Sequence, residues 1–380
     1  MIDMTVTFFS NFLVHHQVPF CEAMVHRLGD GFRFVATEPI PQDRLDMGYK
    51  NLENAPYALN AYKSNEAYSE AMRLASESDV VILGSAPQAF IEKRLADNKL
   101  TFRYSERFFK KFRWRFDPRA WKVRWRQDTR YRKKNFHMLC ASAYTAPDCR
   151  FIFAYPHKTY KWGYFPPMES IDFPSLQKAK EQNRVIKLLW VSRFIPLKHP
   201  EEVIALAQKL KSDRLPFEIE MIGVGKLRNQ YEERVKALGL ESDISFKGPF
   251  EPAKVLEHMR GADIFLFTSD KNEGWGAVMN EAMSSACAVV ACREIGSVPY
   301  LIKHGENGMI YRKHGKNSLY DCVTALMRDS SLRAKMQKKA YETIRDVWNA
   351  ETAAKRLLHL IDCINKGEEA GYDFGPCSRD

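Results

Sequence analysis

Two carboxylates eight residues apart, Glu273 and Glu281, flank a glycine turn in "NEGWGAVMNEAM" (272–283). The preceding "ADIFLFTSD" has the short apolar run of a strand, and "AVMNEAMSSA" after the turn has the periodicity of a helix. Glu273 is therefore expected on a loop, and Glu281 about two turns further on, inside the helix. The backbone of Gly274, Trp275, Gly276, Ala277 and Val278 would lie at the helix start, where N–H groups favour an anion. Glycine lets that backbone approach a phosphate closely. A ligand with phosphates in its middle would meet one glutamate at each end. A carboxylate accepts hydrogen bonds from two hydroxyls. A sugar nucleotide, with sugar, diphosphate and ribose in that order, has the matching layout. Taken singly, Glu273 is equally a helix-start acid favoured by the macrodipole, and Glu281 a solvated helix residue.

A second pair is cationic. In "WVSRFIPLKHPEEVI", Arg193 and Lys198 fall on the loop after a strand and just before a helix. An arginine fork and a lysine point charge at a strand end suit a diphosphate leaving group. The alternative is two solvated loop cations.

Both pairs need elements to hold them. The first half alternates strands ("MTVTFFS", "FRFVAT", "DVVILGS", "LTFRYS", "RFIFAYP") with helices ("PFCEAMVHRLG", "NEAYSEAMRLASES"). The rhythm weakens over "GYFPPMESIDFPSLQKAKEQN", which reads as a linker. A second alternating series runs from "VIKLLWVS" to "SVPYLIKHG", and two long helices follow at 316–345 and 350–366. This pattern predicts two parallel, doubly wound α/β domains whose ligands bind beyond the carboxyl ends of strands. The expected boundaries are 1–168, joined by the helix 350–366, a linker at 169–184, a second domain at 185–349, and a loose tail at 367–380.

The two loops together resemble the GT-B glycosyltransferases, specifically the large retaining family 4. "EGWGAVMNE" fits that family's E-x7-E motif, and "SRFIPLKHPEEVIALAQKL" its Arg–Lys loop. "EIEMIGVGKLRNQYEERVKALGLESDISFKGPF" and "VWNAETAAKRLLHLI" resemble further family segments. "IGSVPYLIKHGENGMIY" does so too, with Ser297 and Tyr300 where the family has Gly and Glu. The resemblance implies the GT-B fold, two Rossmann-like domains facing across a cleft. It implies a retaining, metal-independent transferase without a cofactor, and a nucleotide diphosphate sugar as donor, UDP-linked before GDP-linked. Glu281 would bind the donor ribose and Glu273 the transferred sugar. Arg193 and Lys198 would neutralise the departing diphosphate. Gly274 to Val278 would cradle sugar and phosphate. Gly223 and the segment holding Phe246, Gly248 and Phe250 would hold the base.

The first half matches less well. Its first loop, "SNFLVHHQVPF", has no glycine, which makes Asn11, His15 and His16 candidates for acceptor or phosphate contacts. Ser105 and Glu106 stand where many members place a histidine near the sugar. Packed histidines and a helix-start acid are the plainer readings.

The stretch 107–134, "RFFKKFRWRFDPRAWKVRWRQDTRYRKK", holds thirteen Lys/Arg against two Asp and so carries the whole net charge of +11. Trp114, Trp121 and Trp125 on one face, with cations such as Arg124 beside them, describe an interfacial helix on an anionic membrane. Core packing with solvated charges is the alternative, and nucleic-acid binding fits less well. No apolar run is long enough to span a bilayer, and "MIDMTVTFFS" reads as a buried strand rather than a signal peptide. Eight scattered cysteines without zinc spacing suggest reduced thiols in a cytoplasmic protein. The expectation is a hexosyltransferase at the inner face of the membrane, acting on a glycan or lipid-linked acceptor in surface polysaccharide assembly. A UDP-sugar epimerase of the same architecture and a non-catalytic polyanion-binding protein are the competing readings.

Overall fold

The computed structural model describes residues 4–46, 50–182, 185–313 and 317–380. They divide into two compact units. Unit 1 is Met1–Pro167 with Trp348–Asp380, and unit 2 is Met168–Val347.

Unit 1 contains seven strands: β1 (Val6–Ser10), β2 (Phe32–Ala36), β3 (Ala58–Asn60), β4 (Val80–Leu83), β5 (Thr101–Ser105), β6 (Phe136–Cys140) and β7 (Thr159–Lys161). They form one sheet in the order β3-β2-β1-β4-β5-β6-β7, every pairing parallel. Unit 2 contains β8 (Ile186–Val191), β9 (Phe217–Ile222), β10 (Ile244–Lys247), β11 (Ile264–Phe267), β12 (Ala288–Cys292) and β13 (Met309–Tyr311). Its order is β10-β9-β8-β11-β12-β13, again parallel throughout. The central strands are buried along their whole length, as in β1, β4 and β12. That burial explains their unbroken apolar runs, because parallel sheets are covered on both faces. The strand order reverses between β1 and β4 in unit 1, and between β8 and β11 in unit 2. Loops leaving such a pair diverge and open a crevice beyond the strand ends.

Several sequence expectations are corrected. "RFIFAYP" (150–156) is no strand. The helix Thr145–Phe151 ends inside it, and Phe153 and Tyr155 take left-handed φ values of 56° and 52°. Ile152, Ala154 and Tyr155 are buried, with Tyr155 against Phe136 at 5.0 Å, while Phe153 is exposed. The strand in this region is β6, obscured by the polar "RKKN" leading into it. The helix expected at 316–345 is two, Leu319–Arg328 and Ser330–Asp346. Asp329 interrupts it by accepting a 2.8 Å bond from Leu332 N as cap of the second. The expected linker carries a helix, Phe173–Glu181, capped by Asp172 and assigned to unit 2. Buried Lys180 anchors it by donating to Ala286 O at 2.8 Å. Residues 183–184 of that linker and residue 316 lie outside the described residues.

The closing helix Ala350–Lys366 lies in unit 1 against the helix Val18–Leu28, with an Arg27–Glu351 ion pair of 2.9 Å. Residues 367–380, expected to be loose, pair with the edge strand β7. Lys161 N donates to Ser378 O and Cys377 N to Lys161 O, both at 2.8 Å. An edge strand offers unpaired donors and acceptors, and here the chain's own tail takes them. All eight cysteines are free and buried. No helix among the described residues is long and apolar enough to cross a membrane.

Candidate active site

In unit 2 the Arg–Lys loop leaves β8 and the glutamate loop leaves β11, the two strands at which the sheet order reverses. They are stitched together. Asp270 N donates to Leu197 O at 3.0 Å, Thr268 Oγ1 to Lys198 O at 2.6 Å, and Trp190 Nε1 to Thr268 Oγ1 at 3.0 Å. His199, at φ 49°, places its ring between Glu201 (2.6 Å) and Asp270 (3.3 Å). This lacing buries Lys198 and pairs its ammonium with the Glu273 carboxylate. Two residues 75 positions apart thus meet at the strand ends. Arg193 stays exposed on the same loop.

Gly276 has φ 81°, and a Cβ there would fall 2.3 Å from Phe267 Cζ and 3.3 Å from Glu273 Cγ. Only glycine lets the turn pass beneath Glu273. Trp275 is buried and donates Nε1 to Asn280 Oδ1 at 2.9 Å. Ser297 Oγ donates to Trp275 O, and Tyr300 packs on the Trp275 ring at 6.2 Å. The two positions that depart from the family pattern therefore hold the glycine turn in place. Asn280 and Ser297 were missed as positioning residues; the available signal was a polar residue inside an apolar run. The helix that follows, Val278–Ser284, has only seven residues. It offers an anion first-turn N–H groups rather than a long-helix dipole.

Glu281 reaches the surface in part, but its carboxyl is withdrawn from water. Desolvation alone pushes its pKa up to about 7. No side chain among the described residues pairs with it, so its hydrogen-bonding capacity is left for a ligand. At the other end of the sheet, Gly223 (φ 144°) follows β9, and a Cβ there would overlap Ser192 O at 1.9 Å. Phe246 packs on Phe194 at 5.7 Å. Gly248 follows β10, and half-exposed Phe250 stacks on His258 at 4.8 Å. Among the described residues no group of three or more His, Cys, Asp or Glu is placed to hold a metal ion.

Unit 1 has its own pocket of about 490 Å³ beyond β1, β4 and β5. Asn11, His16, Ser105 and Glu106 all line it, while the His15 ring stands beside that of His16 at 5.2 Å. His16 stacks on Tyr164 at 4.6 Å. Burial, then His15 and Arg44, lower its pKa to about 3, so it is neutral. Glu106 is held between the Tyr164 hydroxyl (2.9 Å) and Lys110 (3.1 Å). The set expected at a membrane surface divides. Trp114 and Trp125 are exposed. Trp121 instead packs on Phe151 at 5.4 Å and donates Nε1 to Arg115 O at 2.6 Å. Arg124 turns into the pocket wall, bonded to Asp128 at 3.1 Å. Trp114 precedes Pro118, at which the helix Pro118–Gln127 begins, so no single helical face carries all three tryptophans.

Residues 172–343 match the family model of glycosyl transferases group 1. The match lies within unit 2 and covers less than half of the chain. D-inositol 3-phosphate glycosyltransferase of Corynebacterium glutamicum is 29% identical over 181 residues, 46% of this chain and 43% of that protein. Poly(ribitol-phosphate) alpha-N-acetylglucosaminyltransferase of Staphylococcus aureus is 25% identical over 193 residues, 50% of this chain and 38% of that one. The matched stretch thus spans less than half of each of these relatives. Whole-chain likeness comes from solved structures. Anabaena HepE in complex with UDP superposes over 94% of this chain and 100% of its own, with TM-score 0.69 and 15% identity. Sucrose-phosphate synthase from Thermosynechococcus elongatus superposes over 96% and 100%, with TM-score 0.65 and 14% identity. The fold is GT-B, with two Rossmann-like parallel-sheet units.

Proposed function

We propose that this chain is a group 1 glycosyltransferase of the retaining kind, which moves a hexose from a UDP-linked sugar to a hydroxyl of a glycan acceptor. The observation that carries the reading is the meeting of Lys198 and Glu273 at the strand ends, with unpartnered Glu281 on the helix after the same turn. Without ligand, the lysine and glutamate neutralise each other. A bound donor separates their tasks. Lys198 and Arg193 face the diphosphate and stabilise the charge that grows as the glycosidic bond breaks. Glu273 accepts from sugar hydroxyls, and Glu281 from the ribose diol. Fixed cations from the chain serve the leaving group, so the proposed reaction runs without a bound metal. Structures of the same fold have been solved with UDP and with UDP-glucose, which favours uridine as the base.

The acceptor is proposed to be lipid-linked. Exposed Trp114, Phe116, Val123 and Trp125 stand among the cations of 107–134, a composition suited to an anionic membrane surface.

The test is calorimetric titration with UDP, GDP and ADP in EDTA, on the wild type and Glu281→Ala. UDP is expected to bind, and the substitution to weaken it at least tenfold. Failure of all three nucleotides to bind the wild type would sink the reading.

A further inference from the structure

The unit 1 pocket is strongly cationic. Arg44, Arg103, Arg107, Lys110 and Arg124 all line it, and Glu106 is its one acidic lining residue. Behind the wall lies Asp128, fully buried and shared between Arg103 (2.8 Å) and Arg124 (3.1 Å). Five cations therefore face two carboxylates, and neutral His16 does not alter the balance. Arg107 stands out. Its guanidinium lies over the Tyr144 ring at 5.0 Å, and its Nε is withdrawn from water without a hydrogen-bond partner. A buried unsatisfied donor is costly, and a ligand oxygen would relieve it. The pocket floor is the point where the strand order reverses, with Ser10 ending β1, Asn11 following it, and Gly84 and Ser85 after β4. Hydroxyls and an amide stand there beside the guanidinium forks. Forks of this kind bind phosphate through paired hydrogen bonds, and the volume is in the range of small-molecule sites.

We propose that this pocket binds the phosphate group of a phosphorylated sugar or polyol, which is the acceptor of the transfer. The word acceptor rests on the transferase reading; the phosphate site itself does not. The proposal also accounts for part of the basic stretch 107–134. Arg107, Lys110 and Arg124 serve the pocket, while the exposed cations beyond them do not.

The test uses the full chain and measures binding of glucose 6-phosphate, glycerol 3-phosphate and inorganic phosphate, against glucose and glycerol. The phosphorylated probes are expected to bind at least tenfold more tightly than their neutral counterparts. Arg107→Gln should remove most of that preference while leaving UDP affinity unchanged, and Arg44→Gln provides a second variant if the first folds poorly. The double variant Arg193→Ala/Lys198→Ala should lose UDP and keep the phosphate probes. Equal binding of charged and neutral probes would overturn the proposal. So would indifference to both arginine substitutions, or loss of the phosphate probes in the Arg193/Lys198 variant. Sedimentation with phosphatidylcholine vesicles, with and without dihexadecyl phosphate, identifies the source. Capture sensitive to Arg107→Gln points to a phosphate on a lipid, and sensitivity confined to the soluble esters to a free one. Failure of UDP to bind the wild type would remove the transferase reading and leave the phosphate site standing.

Discussion

Glu281 sets a measurable conflict between stability and binding. Its carboxyl titrates near 7 in the folded chain, raised from an ordinary value of 4.5. Between those two values the folded state holds the proton and the unfolded state has released it. Stability therefore falls as pH rises through that window, and above about 7 the chain carries a poorly solvated, unpaired charge. Glu281→Gln keeps the shape without the charge. It should stabilise the ligand-free protein at pH 8 by up to about 3 kcal/mol, and at pH 5 by less than about 1 kcal/mol. Thermal unfolding at the two pH values checks this, and a loss of stability at pH 8 would refute it. Binding should move the opposite way. If Glu281 holds the ribose as proposed, the ionised carboxylate is the form that accepts from both hydroxyls, and UDP-glucose should bind about tenfold more weakly at pH 6 than at pH 8. The sugar nucleotide's diphosphate does not titrate in this range, and Glu281→Gln should abolish the pH dependence.

The glycine turn after β11 is the element that aims the site. Its conformation depends on Gly276 beneath Glu273, on the Trp275–Asn280 bond, and on Ser297 at the Trp275 carbonyl. Gly276→Ala would drive a methyl into the Phe267 ring and strain a left-handed backbone. The expected result is a transfer rate at least a hundredfold lower, a loss on the scale of removing a transition-state donor, with the melting temperature down by only a few degrees. Steady-state kinetics beside a melting curve decides it. Near-normal turnover would show that the turn does not position Glu273. The glutamate spacing and the glycines were legible because they fall in one short segment. Asn280 and Ser297 were not, because a buried polar side chain shows its purpose only once its partner is placed.

Over the whole molecule, charge and apolar exposure coincide. The net charge of +11 equals the balance of one 28-residue stretch, and Phe116 and Trp125 in that stretch are among the most exposed large apolar side chains described. Phe116→Ser with Trp125→Ser should cut sedimentation with vesicles containing phosphatidylserine severalfold, as about 1 kcal/mol per basic residue remains from electrostatics alone. Unchanged sedimentation would assign the exposed aromatics no part in membrane contact. Salt should weaken whatever binding the double variant retains.

The sequence by itself determined the alternation of strand and helix, the two-unit organisation and the placing of four charged residues on the segments that follow β8 and β11. Periodicity and short motifs are local, and the chain writes them out in order. Tertiary structure alone decided that Lys198 pairs with Glu273, that Trp121 and Arg124 turn inward, and that the tail completes the edge of β7. It also brought Arg44 and Arg124, from separate segments, to one pocket with Arg103 and Arg107. Those outcomes depend on which strands lie side by side, and strand order in a parallel sheet is set by long crossovers that leave no local signature.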